Sequence, residues 1–438
     1  MVRSRAIAIL IATLGGLALL DAAPGNAETP SIPTPPAPAP STPDTSGCPN
    51  RVSAPPVVDL SEVPVPGAPV PSPLPLPERP VGGERLGECG LVVPDGAPAP
   101  PAGISAASWI LADAGTGEVL AAKDPHARHR PASTIKLLTA LLVTNRLSPD
   151  RVVLATKADA NQEGSKAGIG PGGSYTVRQL LAGLLLVSGN DAAHALAGQL
   201  GGVPAAVAQL NELAAELGAH DTYAATPSGL DGPGMSTSAY DLALVFGHVL
   251  ARPLLAELVS TAQVDFPGFG DRPGFVISND NRLLGNYDGA LGGKTGFTDD
   301  ARHTYVGAAV RNGRVLIVVL LRGEQRPLPL WGQAAQLLDY GFTLPRGQAV
   351  GQLVTGPQPT ETQPTVTPTS RSTAATPSWP GGNDGTASLG GSPETNGYPE
   401  TNSAGGIVTG LVWLALAICA LALLGSAIMY QRSRGGNE

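Results

Sequence analysis

The hydrophobic positions in the middle of the chain alternate as in β-strands at two places, and each place has the form of a hairpin. Trp109–Asp113 and Glu118–Ala122 flank a short turn rich in glycine and predict the first hairpin. Thr304–Arg311 and Arg314–Arg322 flank Asn312-Gly313, a dipeptide that favours tight hairpin turns, and predict the second.

The segment between the two hairpins has helical periodicity instead. Thr176 and Gln179 have the spacing of a capping box, and Val177, Leu180 and Leu184 form an apolar stripe behind it. Strands at both ends with helices between them predict an α/β domain of the α+β type. In such a domain the helices pack around a sheet that contains both ends of the folded segment.

An apolar segment lies near each end of the chain. Ala6–Leu20 is too short to span a bilayer comfortably, and a small-residue cleavage signal follows it and ends at Ala27. It predicts a signal peptide, with an uncleaved anchor as the alternative. Ile407–Met429, about 23 residues, is long enough to cross the hydrocarbon core, and Arg432 and Arg434 behind it predict a cytoplasmic end. We expect an exported protein with one C-terminal transmembrane helix.

Proline divides the rest of the chain, because more than half of its 44 prolines lie between Pro24 and Pro101. That part predicts extended chain with little regular structure. Gln348–Gly405, rich in Thr, Ser, Pro and Gly, predicts a disordered stalk. The predicted organisation is a signal peptide (1–27), a Pro-rich N-terminal segment (28–103), a catalytic domain (104–345), a stalk (346–405), a transmembrane helix (406–430) and a cytoplasmic tail (431–438).

Cysteine usage agrees with export. Cys419 lies in the predicted membrane span, which leaves Cys48 and Cys89 as a pair in an oxidising compartment. We predict a disulfide between them that restrains the Pro-rich segment by about 3–4 kcal/mol, with two unpaired thiols as the alternative.

The net charge of −8 argues against nucleic acid as a partner, because binding to phosphates needs clustered Lys and Arg. Lysine itself is scarce: the chain has only Lys123, Lys136, Lys157, Lys166 and Lys294. The position of each lysine is therefore informative.

Ser133 and Lys136 form the first candidate constellation. Pro131 suits the first turn of a helix, so the two side chains, three residues apart, share one face. A neutral lysine beside a serine can take the hydroxyl proton, as in Ser–Lys dyads. A solvated helix face is the alternative for an isolated S-x-x-K pattern.

Two further motifs follow along the chain. Ser188 and Asn190 come directly after an apolar helix and can present a hydroxyl and an amide to a cleft. Taken alone, the motif is better explained by an Asx-type turn that caps the next helix. Lys294 and Thr295 lie between glycines and would offer a carboxylate a charge and a hydroxyl, with a Gly-rich turn as the alternative. Two of the five lysines therefore fall in motif positions.

Together, S-x-x-K, S-x-N and K-T-G resemble the three motifs of the low-molecular-mass penicillin-binding proteins, the serine D-alanyl-D-alanine carboxypeptidases. The resemblance extends over roughly residues 105 to 345, and the Arg- and Ala-rich composition is similar to that of actinobacterial members. It implies a β-lactamase/DD-peptidase-like fold, with an antiparallel five-stranded sheet flanked by helices and a helical subdomain.

The resemblance also implies roles for single residues. Ser133 would be the nucleophile and Lys136 its general base, while Ser188 would relay a proton and Asn190 would hold Lys136. The substrate-binding residues would be Lys294, Thr295, Gly296 and Phe297, with the backbone N–H groups of Ser133 and Phe297 forming the oxyanion hole.

The implied substrate is the peptidoglycan stem peptide ending in D-Ala-D-Ala, with β-lactams as covalent inhibitors. The catalytic domain would face the cell wall, held at the membrane by the C-terminal helix. No cofactor is implied, and none of the six histidines lies in an H-E-x-x-H motif, so we expect no metal. Relatives often use an arginine for the carboxylate, and Arg322 and Arg326 are unaligned candidates.

Three functions stay open. A D-Ala-D-Ala carboxypeptidase is the first, and a DD-transpeptidase or serine β-lactamase with the same acyl chemistry is the second. Gly189 stands where class A β-lactamases usually have an Asp, which disfavours a β-lactamase. The third, a non-catalytic wall-binding protein, would need a degraded motif, and all three motifs are intact.

Overall fold

The computed structural model describes residue 48 and residues 50–67 and 69–356 of the chain. The predicted signal peptide, transmembrane helix and cytoplasmic tail lie outside the described residues, as does the predicted stalk beyond residue 356.

Eleven strands and eight α-helices are described. The strands are β1 (Leu91–Val92), β2 (Ser108–Asp113), β3 (Glu118–Lys123), β4 (Val152–Leu154), β5 (Ser174–Thr176), β6 (Gln263–Phe266), β7 (Phe275–Ser278), β8 (Ala290–Thr298), β9 (Arg302–Arg311), β10 (Arg314–Gly323) and β11 (Gly351–Gln352). The helices are α1 (Lys136–Arg146), α2 (Lys157–Ala160), α3 (Val177–Leu186), α4 (Asn190–Gln199), α5 (Val203–Leu217), α6 (Ala239–Leu250), α7 (Pro253–Ser260) and α8 (Leu330–Thr343). Short 3₁₀ helices cover Glu84–Gly87 and Ala132–Ile135.

The main sheet is antiparallel and has the strand order β1-β3-β2-β10-β9-β8. Both predicted hairpins are confirmed: β2 pairs with β3, and β9 pairs with β10 across Asn312-Gly313, where both residues have positive φ. The predicted capping box is also confirmed, since the Thr176 side chain accepts from the Gln179 N–H and the Gln179 side chain accepts from the Thr176 N–H.

The expected five strands are present as β2, β3, β8, β9 and β10, but the sheet has seven. The two-residue strands β1 and β11 both pair with β3. They come from segments predicted to lie outside the domain, so the fold continues past Pro345 to Gly356 on one side and begins before residue 104 on the other. The physical reason is that β3 would otherwise present unpaired backbone groups at the sheet edge.

Alternation along the strands divides the core into two layers. Ile110 and Ala112 of β2 pack into the larger cluster, which contains most of the helices, including α6. Trp109 and Leu111 face the opposite side and pack with α8. Helices α1 and α3–α5, with the small hairpins β4–β5 and β6–β7, form the helical part beside the sheet. The active-site motifs lie where this part meets β8.

The N-terminal segment crosses the surface of the domain mainly outside regular structure, as its prolines predict. The structure pairs Cys48 with Cys89, whose Cα atoms lie 4.8 Å apart. Val81, Leu86 and Val92 of this segment are buried.

Within the described part of the chain, no single helix is long and apolar enough to cross a membrane. By length and composition alone, the pair α6 and α7, bent by 106°, passes the test jointly.

Candidate active site

Ser133 lies in a 3₁₀ turn rather than in the α-helix that the sequence predicts. The turn Ala132–Ile135 leads directly into α1, which begins at Lys136. Ala132 enters it with a φ of 47°, so the chain bends sharply before the serine. Because a 3₁₀ helix has three residues per turn, positions i and i+3 are eclipsed. The Lys136 Nζ and Ser133 Oγ atoms accordingly lie 2.8 Å apart.

Lys136 is completely buried, and its ammonium nitrogen has three oxygen neighbours. These are Ser133 Oγ, Asn190 Oδ1 at 2.7 Å and the carbonyl oxygen of Ser228. Burial, reinforced by the positive charge of Lys294, holds the pKa of Lys136 well below its ordinary value. Since the Asn190 and Ser228 oxygens can only accept, a neutral amine gives them its two hydrogens. Its lone pair then faces the Ser133 hydroxyl, which is the arrangement a general base requires.

Ser188 and Asn190 lie where α3 gives way to α4. Ser188 has a φ of 60° and lines the same cleft as Ser133. Asn190 is the first residue of α4, and its amide Nδ2 donates to the carbonyl oxygen of Glu163 at 2.7 Å while Oδ1 accepts from Lys136. Asn190 thus links the Lys136 amine to the loop that contains Glu163.

The same loop is held in place by Asp191, which is fully buried. Its carboxylate accepts from the backbone N–H groups of Ala167, Gly168 and Ile169 at 2.7–3.2 Å. The Gly-Ser-x5-Pro-Gly segment (164–172) is therefore held against the start of α4 by one acidic side chain.

Strand β8 carries the third motif along the other wall. The Lys294 ammonium is completely buried, donates to the Thr295 carbonyl oxygen at 2.9 Å and lies 3.8 Å from the Asp280 carboxylate. Burial lowers the pKa of Lys294, and the negative charge of Asp280 opposes this shift. The Thr295 hydroxyl donates to Asp280 at 2.9 Å. Asp280 therefore orients both side chains that are predicted to bind a carboxylate.

Glycine permits the close approach of β8 to the nucleophile turn. A Cβ at Gly296 would lie 2.9 Å from the Ser133 backbone nitrogen and 2.4 Å from the Thr304 Oγ1 atom. Thr304 donates this hydroxyl to the Pro131 carbonyl oxygen at 2.8 Å, which ties β9 to the same turn. The N–H groups of Ser133 and Phe297 thus belong to two backbone segments in van der Waals contact, as an oxyanion hole requires.

Between these walls lies a cleft of about 580 Å³. Its lining residues are Ser133, Ser165, Ser188, Asp280, Arg282, Thr295, Gly296, Phe297, His303, Thr304, Tyr305, Gln325, Pro329, Leu330 and Trp331. The structure thus brings all three motifs together. Three motif residues lie behind the surface of the cleft and contact residues that line it: Lys136, Asn190 and Lys294.

Sequence reasoning missed most of the other residues that line this cleft, among them Asp280, Arg282, His303 and Trp331. The polar run directly before β8 was a usable signal for the first two. His303 and Trp331 have no local signature, because the cleft forms only when β9 and the start of α8 meet β8. Neither unaligned arginine lines the cleft; Arg322 is buried and donates to the Asp300 carbonyl oxygen, and Arg326 is exposed.

A separate cluster, His126, Asp221 and Asp241, is the one group in the described part of the chain whose donor atoms converge as metal ligands would. These atoms are engaged with protein partners. His126 Nδ1 lies 2.9 Å from Asp221, His126 Nε2 lies 2.9 Å from the Val81 carbonyl oxygen, and Arg128 donates to Asp221 at 3.0 Å. The cluster is a buried hydrogen-bond network, and none of its residues lines the cleft.

The sheet with its flanking helices, and Ser133 paired with a buried lysine opposite a wall that is predicted to bind a carboxylate, define a serine enzyme of the acyl-transfer class. The family described as D-alanyl-D-alanine carboxypeptidase matches residues 95–325. The chain belongs to this D-alanyl-D-alanine carboxypeptidase family of serine peptidases.

One relative and two solved structures illustrate the similarity. The D-alanyl-D-alanine carboxypeptidase DacB2 of Mycobacterium tuberculosis is 47% identical over 252 residues, which are 57% of this chain and 86% of that protein. A crystal structure of a D-alanyl-D-alanine carboxypeptidase from M. tuberculosis H37Rv has a TM-score of 0.58 at 46% identity, covering 60% of this chain and 100% of that one. The crystal structure of the Streptomyces K15 DD-transpeptidase has a TM-score of 0.54 at 30% identity, covering 56% and 100%.

Proposed function

We propose that the chain removes the terminal D-alanine from stem peptides ending in D-Ala-D-Ala, through an acyl-enzyme on Ser133. The observation that carries this proposal is the 2.8 Å contact between Ser133 Oγ and a buried Lys136 amine whose pKa is lowered. Ser133 Oγ attacks the carbonyl carbon of the penultimate D-Ala while its proton passes to Lys136. The oxyanion that forms is stabilised by the N–H groups of Ser133 and Phe297.

Collapse of this intermediate breaks the peptide bond, and the leaving D-Ala nitrogen takes a proton that Ser188 relays. Water then hydrolyses the ester on Ser133, with Lys136 as the base. The terminal carboxylate binds to the Thr295 hydroxyl and to the positive end of the cleft that Lys294 supplies. A penicillin has a strained amide and a carboxylate in similar positions, so it acylates the same serine.

A DD-transpeptidase is the second candidate, because the chain resembles the Streptomyces K15 DD-transpeptidase over all of that structure. The two functions share every step up to the acyl-enzyme. They differ in the acceptor, which is water for the carboxypeptidase and an amine for the transpeptidase. The chemistry of the described cleft walls suits both.

The test uses the purified full-length chain and fluorescent penicillin. The wild-type chain should form one covalent adduct per molecule, and Ser133→Ala should form none, because no other cleft hydroxyl has a buried amine within reach among the described residues. Adduct formation by the Ser133→Ala variant would overturn the assignment. D-Ala release from a D-Ala-D-Ala pentapeptide, compared with transfer to added glycine, then separates hydrolysis from transpeptidation.

The cellular arrangement belongs to the same proposal. Residues 1–27 direct export, residues 406–430 anchor the protein in the membrane, and the catalytic domain faces the cell wall. A disulfide between Cys48 and Cys89 is supported by their Cα separation of 4.8 Å, which lies within the usual range. Intact-mass measurement should show no free thiol at these two positions, and extraction of the protein should require detergent. Release by salt alone would contradict the anchor.

A further inference from the structure

The Pro-rich segment before the family match has extensive polar contacts with the catalytic domain. We call residues 50–67 and 69–90 the strap; the family match begins only at residue 95. Arg128 of the domain is fully buried and donates to the strap carbonyl oxygens of Val52 at 2.7 Å, Leu74 at 2.6 Å and Pro75 at 3.2 Å. One guanidinium therefore fixes two separate parts of the strap, which suits a segment whose prolines leave carbonyl oxygens but few N–H groups.

A second anchor lies next to the nucleophile. Arg130 comes three residues before Ser133, and its buried guanidinium forms an ion pair with the Glu62 carboxylate of the strap. It also donates to the Pro55 carbonyl oxygen at 2.7 Å. Only 15% of the Glu62 side chain is exposed, so the pair is largely removed from solvent and its geometry is restrained.

A third anchor lies at the end of β8. Asp300 follows Phe297 by three residues and is 1% exposed. Its carboxylate accepts from the Val58 N–H at 2.5 Å and from the Ser61 hydroxyl at 3.3 Å. The Asp300 carbonyl oxygen accepts from Arg322 of β10, so the turn that receives the strap is also fixed to the sheet.

One short stretch of the strap, residues 58–62, therefore contacts both backbone segments that would form the oxyanion hole. Glu62 binds the segment that leads into Ser133, and Val58 with Ser61 binds the turn that follows Phe297. These two segments are far apart in sequence, and acylation requires their N–H groups at a set separation. Because residues 58–62 contact both segments, they restrain the distance between them.

We infer that the strap is a positioning element for acylation: residues 58–62 hold the nucleophile turn and the end of β8 in register from outside the cleft. This inference rests on the proposed acyl-enzyme at Ser133. No described strap residue lines the cleft, so these are positioning residues. Their loss should slow the chemical step and leave the first, reversible binding of the ligand nearly unchanged.

The test compares strap variants of the full-length chain by stopped-flow acylation with fluorescent penicillin. Glu62→Ala, and Ser61→Ala combined with Glu62→Ala, change no residue of the cleft. We expect the first-order acylation constant to fall at least tenfold while the dissociation constant of the initial complex stays within threefold. Glu88→Ala is the matched control, because this strap carboxylate pairs only at the surface, with Arg85 in the strap itself; its acylation should equal that of the wild type.

The adduct stoichiometry separates positioning from mere stability. Wild-type acylation rates in Glu62→Ala would overturn the inference, and so would fewer adducts formed at the wild-type rate, because that result means partial unfolding alone. If Glu62→Ala does not fold, Glu62→Gln keeps an acceptor for Arg130 and should show a smaller loss in the same constant; no loss in that variant would also overturn it. A wild-type chain that forms no adduct would instead count against the proposed function.

Discussion

Replacing Gly296 by alanine tests how closely β8 must approach the nucleophile turn. The backbone of Gly296 is not in the left-handed region, so the change adds a methyl group and no backbone strain. That methyl would lie 2.4 Å from Thr304 Oγ1, 2.9 Å from the Ser133 nitrogen and 3.1 Å from the Ala132 Cβ. Ordinary contacts of a Cβ begin near 3.4 Å. The two segments must therefore separate by about 0.5–1 Å, since rotating the Thr304 hydroxyl away breaks its bond to Pro131.

A displacement of this size should slow acylation about 100-fold, because misplacing reacting groups by about 1 Å has that effect. The loss corresponds to about 2.7 kcal/mol of transition-state stabilisation. The assay is the second-order rate constant of acylation by fluorescent penicillin, measured well below the unfolding temperature of each variant. The enzymatic release of D-Ala from a pentapeptide substrate should slow by a similar factor.

Gly198→Ala is the matched control for Gly296→Ala. Gly198 lies in α4 with no atom within 4 Å of an added Cβ, and alanine should stabilise the helix by about 0.5–1 kcal/mol. Its acylation rate should match that of the wild type. If Gly296→Ala acylates within threefold of the wild type, then close contact between β8 and the nucleophile turn is not needed and our account of the oxyanion hole is wrong.

Two further predictions concern acidic groups. Asp280→Asn should move the acidic and the alkaline limb of the pH profile for acylation to lower pH, because the Asp280 charge raises the pKa of both Lys136 and Lys294. The alkaline limb, which is set by deprotonation of Lys294, should move further because Asp280 lies 3.8 Å from that lysine. A profile that superposes on the wild type would contradict this. Burial, together with the charge of Asp221, raises the pKa of Asp241 to about 7, so the folded chain keeps a proton that the unfolded chain loses. The free energy of unfolding should therefore fall between about pH 4 and pH 7, and Asp241→Asn should flatten that dependence in urea titrations; an unchanged slope would count against it.

Local patterns were sufficient for the elements that build the sheet. Alternation with an Asn-Gly turn predicts β9 and β10 to within two residues, and the capping box predicts the start of α3. These features depend on neighbours in sequence, so the sequence contains their signal. The nucleophile turn was predicted as α-helix because Pro131 and the apolar run fit one. The close packing of β8 against it, which depends on distant residues, selects a 3₁₀ turn instead.

The motifs of the candidate site could be predicted from the sequence, but the residues that complete the walls of the cleft could not. Ser133 and Lys136 were found because a spacing of three residues brings their side chains together. Asn190 was found as part of the S-x-N motif, and the fold brings it to Lys136. His303 and Trp331 come from β9 and from the start of α8, and no spacing links them to the motifs. Only the tertiary arrangement shows that they face the nucleophile.

The strap shows why composition alone could not predict how the N-terminal segment docks. Hydrophobic periodicity detects segments that dock through apolar side chains, and here Val58, Leu60 and Val63 are exposed. The strap docks instead through its backbone oxygens and two acidic interactions, which leave no period in the sequence. The signal lies in the domain instead: Arg128 and Arg130 precede the nucleophile, and most acceptors of their buried guanidiniums come from the strap.

Buried guanidiniums are costly unless each N–H finds an acceptor, so an arginine pair beside a catalytic turn implies a partner that covers it. In this chain the strap supplies five acceptors, which are four backbone carbonyl oxygens and the Glu62 carboxylate. Arg128 and Arg130 and the strap therefore depend on each other. Without the strap, Arg130 would lose its carboxylate partner, and Arg128, which would keep Asp221, would lose three carbonyl acceptors. This dependence ties a segment outside the family match to the turn that carries Ser133.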